Sequence, residues 1–90
     1  MTPEGKIKKQ IREYLITKKW FIYPNTANQF SMKGVPDYTA ISPDGLVVQI
    51  EVKADKGKQT PEQIEFQRRW IECNGVYVLV HSLSELMEAV

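Results

Sequence analysis

Two short apolar runs, residues 38–41 and 46–52, are separated by Ser42-Pro43-Asp44-Gly45, a clear turn signal. This pairing constrains the chain more than any other feature. The two runs are expected to fold back on each other as a hairpin. Behind them come a helical stretch and then a continuous apolar run, Val76-Tyr77-Val78-Leu79-Val80. A helix between two strands argues for a crossover, which lays the last strand roughly parallel to a neighbour. The run at 76–80 reads as a buried strand.

The remaining elements follow from local chemistry. Thr2-Pro3-Glu4 is a helix start, with Thr as N-cap, Pro at the first helical position and an acid in the first turn. Ile7, Ile11, Tyr14 and Leu15 then recur at helical spacing. Trp20-Phe21-Ile22-Tyr23 is a short strand stopped by Pro24, and the polar stretch from Asn25 to Lys33 is a loop leading to Gly34. Thr60-Pro61-Glu62-Gln63 is a second helix start and completes a capping box, with the helix running to Asn74-Gly75. Ser82-Leu83-Ser84-Glu85 reads as another capping box before a short last helix. The expected fold class is α/β, a small mixed sheet flanked by helices in the order α-β-β-β-α-β-α, with the first three strands as an antiparallel meander.

The chain has 90 residues, the size of one domain spanning 1–90, and a modest core for which dimerisation is a reasonable expectation. Its single cysteine, Cys73, allows no internal disulfide and no multi-cysteine zinc site within one chain, which favours a reducing, cytoplasmic setting. No apolar run is long enough to span a bilayer, so no membrane partner is expected. Net charge is only +1, but the distribution is uneven. Lys6, Lys8, Lys9, Arg12, Lys18 and Lys19 outweigh Glu4 and Glu13 near the N-terminus, and Lys53, Lys56 and Lys58 form a second basic cluster. A locally basic face fits a polyanionic ligand. Lys6, Lys9, Lys33, Lys56 and Lys58 are the candidate contacts to such a ligand.

The candidate chemistry lies at the ends of the hairpin. Asp37 opens its first strand within Gly34-Val35-Pro36-Asp37, and Glu51-Val52-Lys53 closes its second. Side chains alternate along a strand, so Glu51 and Lys53 share one face while Ile50 and Val52 share the other. Pairing brings an Asp, a Glu and a Lys to one end of the sheet. Two carboxylates suit a hard divalent cation, Mg2+ with Mn2+ as substitute, and an ammonium beside them suits a phosphate or an activated water. Asp37 and Glu51 are the expected ligands, with the Val52 carbonyl as a third oxygen, and Glu4 could complete the pocket from an outer position. Lys53 would orient or deprotonate the attacking water. Taken singly, Glu51 and Lys53 read as a solvated strand face, and Gly34 and Pro36 as a plain turn. Taken together, the set reads as a metal-dependent phosphodiesterase.

Other residues divide between structure and site. Gln63 is equally a cap and a site residue, and Gln67, one turn on, is more simply structural. Trp20, Phe66 and Trp70 are expected in the core or a dimer interface. Tyr23, Asn25, Asn28 and Gln29 are positioned to touch a sugar-phosphate backbone or only solvent. His81 has no evident partner. No phosphate loop or dinucleotide glycine pattern occurs.

The motifs Thr2-Pro3-Glu4, Gly34-Val35-Pro36-Asp37, Glu51-Val52-Lys53 and Thr60-Pro61-Glu62-Gln63, with Gly75 ahead of the last strand, resemble those of the PD-(D/E)xK nuclease superfamily. More narrowly, they resemble stand-alone VRR-NUC domains of phages and bacteria. The resemblance covers nearly the whole chain. It implies a restriction-endonuclease-like core and Mg2+- or Mn2+-dependent DNA cleavage, with Asp37, Glu51 and the Val52 carbonyl on the metal and Lys53 catalytic. Glu4 matches the acid of the first helix, and Gln63 the glutamine that follows the E-x-K strand. It also implies a homodimer acting on branched DNA in the manner of a Holliday junction resolving enzyme, in the bacterial host cytoplasm if phage-encoded. The alternative is a non-catalytic nucleic-acid-binding module with the same fold.

Overall fold

The computed structural model describes residues 1–26 and 32–90. Asn28 and Gln29, two of the expected backbone contacts, lie outside the described residues. Helix α1 (Pro3–Thr17) begins as its sequence implies: Thr2 Oγ1 accepts the Gly5 N–H at 3.0 Å and Pro3 opens the first turn. Lys19, at φ 69°, turns the chain out of the helix and into strand β1 (Phe21–Pro24). The strand therefore starts one residue later than expected, and Pro24 belongs to it. Proline is tolerated there because β1 is an edge strand.

Strands β2 (Tyr38–Ile41) and β3 (Val47–Val52) form the expected hairpin, with Tyr38 opposite Ile50 and Ile41 opposite Val47. Gly45 supplies the positive φ, 90°, that the turn needs. Helix α2 (Pro61–Glu72) crosses to strand β4 (Val76–Val80), which pairs parallel with β3, and helix α3 (Leu83–Ala89) ends the chain. The sheet order is β1-β2-β3-β4, so the meander and the parallel return both form as the sequence implies.

One face of the sheet carries the core. Tyr38, Ala40, Val48, Ile50, Val52 and Val80 point to it and meet Ile11 and Leu15 of α1 and Leu86 of α3. Each fully buried branched side chain contributes about 1.5–3 kcal/mol relative to exposure. The other face is polar where it is buried, with Thr39, Gln49 and Glu51, and α2 lies along it with Phe66 6.4 Å from Tyr77 between ring centroids.

Several expectations need correction. The β4 strand is only partly buried, and Val76 is exposed, because β4 is the outer strand of the sheet. An apolar run alone does not distinguish a central strand from an edge. Trp20, Phe66 and Trp70 are half-buried rather than core, although Trp20 packs against the core's margin. Ser82 caps α3 by accepting the Glu85 N–H, but Glu85 reaches back to the N–H of His81, not to that of Ser82. The capping box is therefore half-formed. The same carboxylate sits 3.1 Å from His81 Nδ1, so His81 does have an acidic partner.

Candidate active site

Asp37 is placed by the failure of the β2–β3 ladder at Pro36. Extending the register beyond Tyr38–Ile50 sets Val52 opposite Pro36, and proline has no N–H to exchange. Asn25 Nδ2 donates to the Pro36 carbonyl at 3.1 Å, and Asp37 Oδ2 accepts the Val52 N–H at 2.7 Å. A strand residue sends its N–H and C=O to the same side, so the Val52 carbonyl also leaves β3 on the side of Asp37. Asn25 is fixed in turn. Its backbone N–H donates to the Asp37 carbonyl at 2.9 Å, and its amide joins Thr39 and Gln49 in a buried polar cluster. Asn25 is thus a structural brace rather than a surface contact.

The same register places Asp37 directly opposite Glu51, on one face and across a non-hydrogen-bonded pair, where side chains come closest. Like charges at such a position are destabilising. Glu51 is only 2% exposed. Burial, and then the facing Asp37 carboxylate, push its acid up to about 8, against a smaller opposite pull from Lys53 and Tyr77. Lys53 Nζ lies 3.8 Å from Glu51 Oε2, with its side chain 15% exposed. The Lys53 N–H donates to the Val80 carbonyl, and its stem lies against Gly57 in the following tight turn.

Three groups at the site were not singled out from sequence. Tyr77 donates a long 3.4 Å hydrogen bond to Glu51 Oε1, and burial followed by the Glu51 charge holds its phenol well above the usual range, so it stays a donor. Gln59 Nε2 reaches Tyr77 at 3.4 Å and Gln67 Oε1 at 2.8 Å, linking α2 to the site. The signal for Tyr77 was its alternation with Val76 and Val78, which puts it on the face of Gln49 and Glu51 once β4 pairs with β3. The third group is Lys8. Its ammonium lies 3.0 Å from Asp37 Oδ1 and 3.3 Å from Glu4 Oε2. Burial alone would lower the Lys8 pKa, but the Asp37 and Glu4 carboxylates outweigh it and hold the value above normal.

Asp37, Glu51, Val52 and Lys53 therefore meet as expected, whereas Glu4 is paired with Lys8. Among the described residues no group of three His, Cys, Asp or Glu side chains could hold a metal ion. Gln63 makes the full capping box, accepting the Thr60 N–H at 2.8 Å, so only its Nε2 is left for a ligand. Lys6, Lys9, Lys33, Lys56 and Lys58 are all exposed, and among the described residues none is ion-paired. A groove of about 690 Å³ runs along α2 past Phe66, Trp70 and Lys33, and neither Asp37 nor Glu51 lines it. Among the described residues no helix is long and apolar enough to cross a membrane.

The buried acid pair has a consequence for stability. Between the ordinary carboxylate value and about 8, folded Glu51 holds a proton that the unfolded chain has released. Its contribution to stability is full below that window and is lost as pH rises through it. The Tm of metal-free protein is expected to fall from pH 6 to pH 9, and Glu51→Gln to flatten that fall. Equal slopes for the two proteins in a thermal melt series contradict this.

No protein-family model matches the chain, and no curated protein matches it. A solved structure described as a "VRR_NUC domain" superposes with a TM-score of 0.86 over 98% of this chain and 94% of its own, at 24% sequence identity. The likeness extends over nearly the whole of both chains, and this chain has the fold of a VRR_NUC domain.

Proposed function

We propose that this chain is a metal-dependent, structure-selective DNA endonuclease that hydrolyses phosphodiester bonds, acting as a homodimer on branched DNA such as a Holliday junction. One observation carries the reading: two carboxylates oppose each other at the end of the sheet, one of them buried, with a lysine on the same face. A doubly charged cation would take the place of the proton that burial and the facing Asp37 carboxylate otherwise keep on Glu51. Asp37 and Glu51 would hold Mg2+ or Mn2+ together with the Val52 carbonyl, and Glu4 would stand outside them. The cation would supply charge relief at the phosphoryl oxygens and acidify the attacking water.

The chain's own groups do the rest. Lys53 Nζ orients the attacking oxygen or answers charge as it develops. Tyr77 fixes one oxygen of Glu51, leaving the other toward Lys53. The Gln63 amide nitrogen left over from the cap donates to a phosphate. Lys56 and Lys58, in the loop after Lys53, and Lys6, Lys9 and Lys33 meet the backbone of the DNA by charge rather than by base sequence. Two sites related by a two-fold axis suit a junction of the same symmetry. A non-catalytic binding module needs the basic surface but leaves the opposed acids unexplained.

The test is cleavage of labelled four-way junction, flap, linear duplex and single-stranded DNA with magnesium and with chelator. Paired nicks confined to the junction, and abolished by chelator, are expected. Binding without any metal-dependent product supports the binding module instead, and cutting of every substrate marks a general nuclease.

A further inference from the structure

Asp37 has two carboxylate oxygens, and Oδ2 is committed to the Val52 N–H. The oxygen left to face a ligand is Oδ1, and Lys8 holds it at 3.0 Å. The same ammonium holds Glu4 one helical turn away, on the same face of α1. Lys8 thus pairs with Asp37 and with the third acid, Glu4, at the same time. The Lys8 side chain is 29% exposed, so it has room to swing out. Lys53 pairs with Glu51 from the end of the same strand, whereas Lys8 reaches Asp37 from α1. We propose that Lys8 is the resident counter-cation of this site: its ammonium occupies the position of the divalent cation on Asp37 and restrains Glu4, and metal binding must displace it. This inference rests on the metal reading given above. Lys8 is then a positioning residue that sets the threshold for metal, and its removal tightens binding instead of weakening it.

Calorimetric titration of the full chain with Mn2+, without DNA, tests this. Wild type is compared with Lys8→Met, Lys8→Arg and Asp37→Asn, each confirmed folded by circular dichroism. Removing a unit charge from beside a doubly charged ion at a partly exposed site should tighten Mn2+ binding by at least about tenfold in Lys8→Met. Lys8→Arg should restore the wild-type value, which a purely steric effect of the shorter stem does not explain. Binding by wild type that Asp37→Asn abolishes, with Lys8→Met unchanged or weaker, overturns the role of Lys8 and leaves the metal reading standing. No Mn2+ binding by either wild type or Lys8→Met overturns both. Binding by Lys8→Met where wild type shows none supports the proposal in its strongest form.

Discussion

Lys53→Met is expected to lower magnesium-dependent DNA cleavage by about 10³-fold, the scale on which a positioned proton-transfer or charge-stabilising group acts. Methionine keeps most of the stem that lies against Gly57 and removes only the ammonium, so Tm and DNA binding should stay near wild type. Lys53→Ala should lose as much activity and additionally some of that packing. The assay belongs at saturating magnesium, because Lys53 also holds the Glu51 pKa down, and without it a proton competes harder for that carboxylate. Full activity in a nuclease-free preparation of Lys53→Met removes Lys53 from the chemistry. Loss of activity together with DNA binding assigns it to substrate affinity.

Gly34→Ala is expected to damage folding severely. A Cβ on Gly34 would run into the Glu62 carbonyl and come within 2.8 Å of the Gln63 nitrogen, at a backbone φ of +81°. These are backbone atoms of the first turn of α2, held by the Thr60–Gln63 capping box, and they have little freedom to retreat. Strain at positive φ and a clash with main chain together cost about 3 kcal/mol or more. In a domain of this size that lowers Tm by at least about 12 °C. Gly45→Ala is the matched control: its φ is +90°, but a Cβ there has nothing within 4 Å. A melt in which the two variants lose equal stability shows that the backbone conformation alone matters and that the contact with α2 does not.

Much of the fold was legible because its signals are local. Thr2-Pro3-Glu4, Thr60 with Gln63, and Ser42 to Gly45 each act within a few residues, and each forms as its chemistry implies. The candidate site was legible for a different reason. Alternation along β3 and a hairpin of fixed length bring Asp37, Glu51 and Lys53 together with no knowledge of the rest of the chain. Lys8 was not legible as a partner of Asp37, since helical periodicity does not say which of several lysines on α1 meets the end of a strand far along the sequence. Its pairing with Glu4 could have been read from their spacing of four. Tyr77 was hidden inside an apolar run whose neighbours, and so whose polar face, depend on β4 joining β3 rather than the opposite edge. The half-formed cap at Ser82 turns on whether Glu85 bonds the cap residue or the one before it, a choice between adjacent N–H groups that composition does not make.

Asp37 serves the main chain as well as the site, because its Oδ2 satisfies the N–H of Val52 where Pro36 interrupts the ladder. On the proposed function position 37 therefore meets two demands, and asparagine separates them, since it keeps an acceptor oxygen and discards the charge. A lineage that abandoned the chemistry would still need an acceptor at 37. On that reading Asp37→Asn keeps the acceptor that ends the ladder and loses only the charge, whereas an aliphatic residue at 37 loses both.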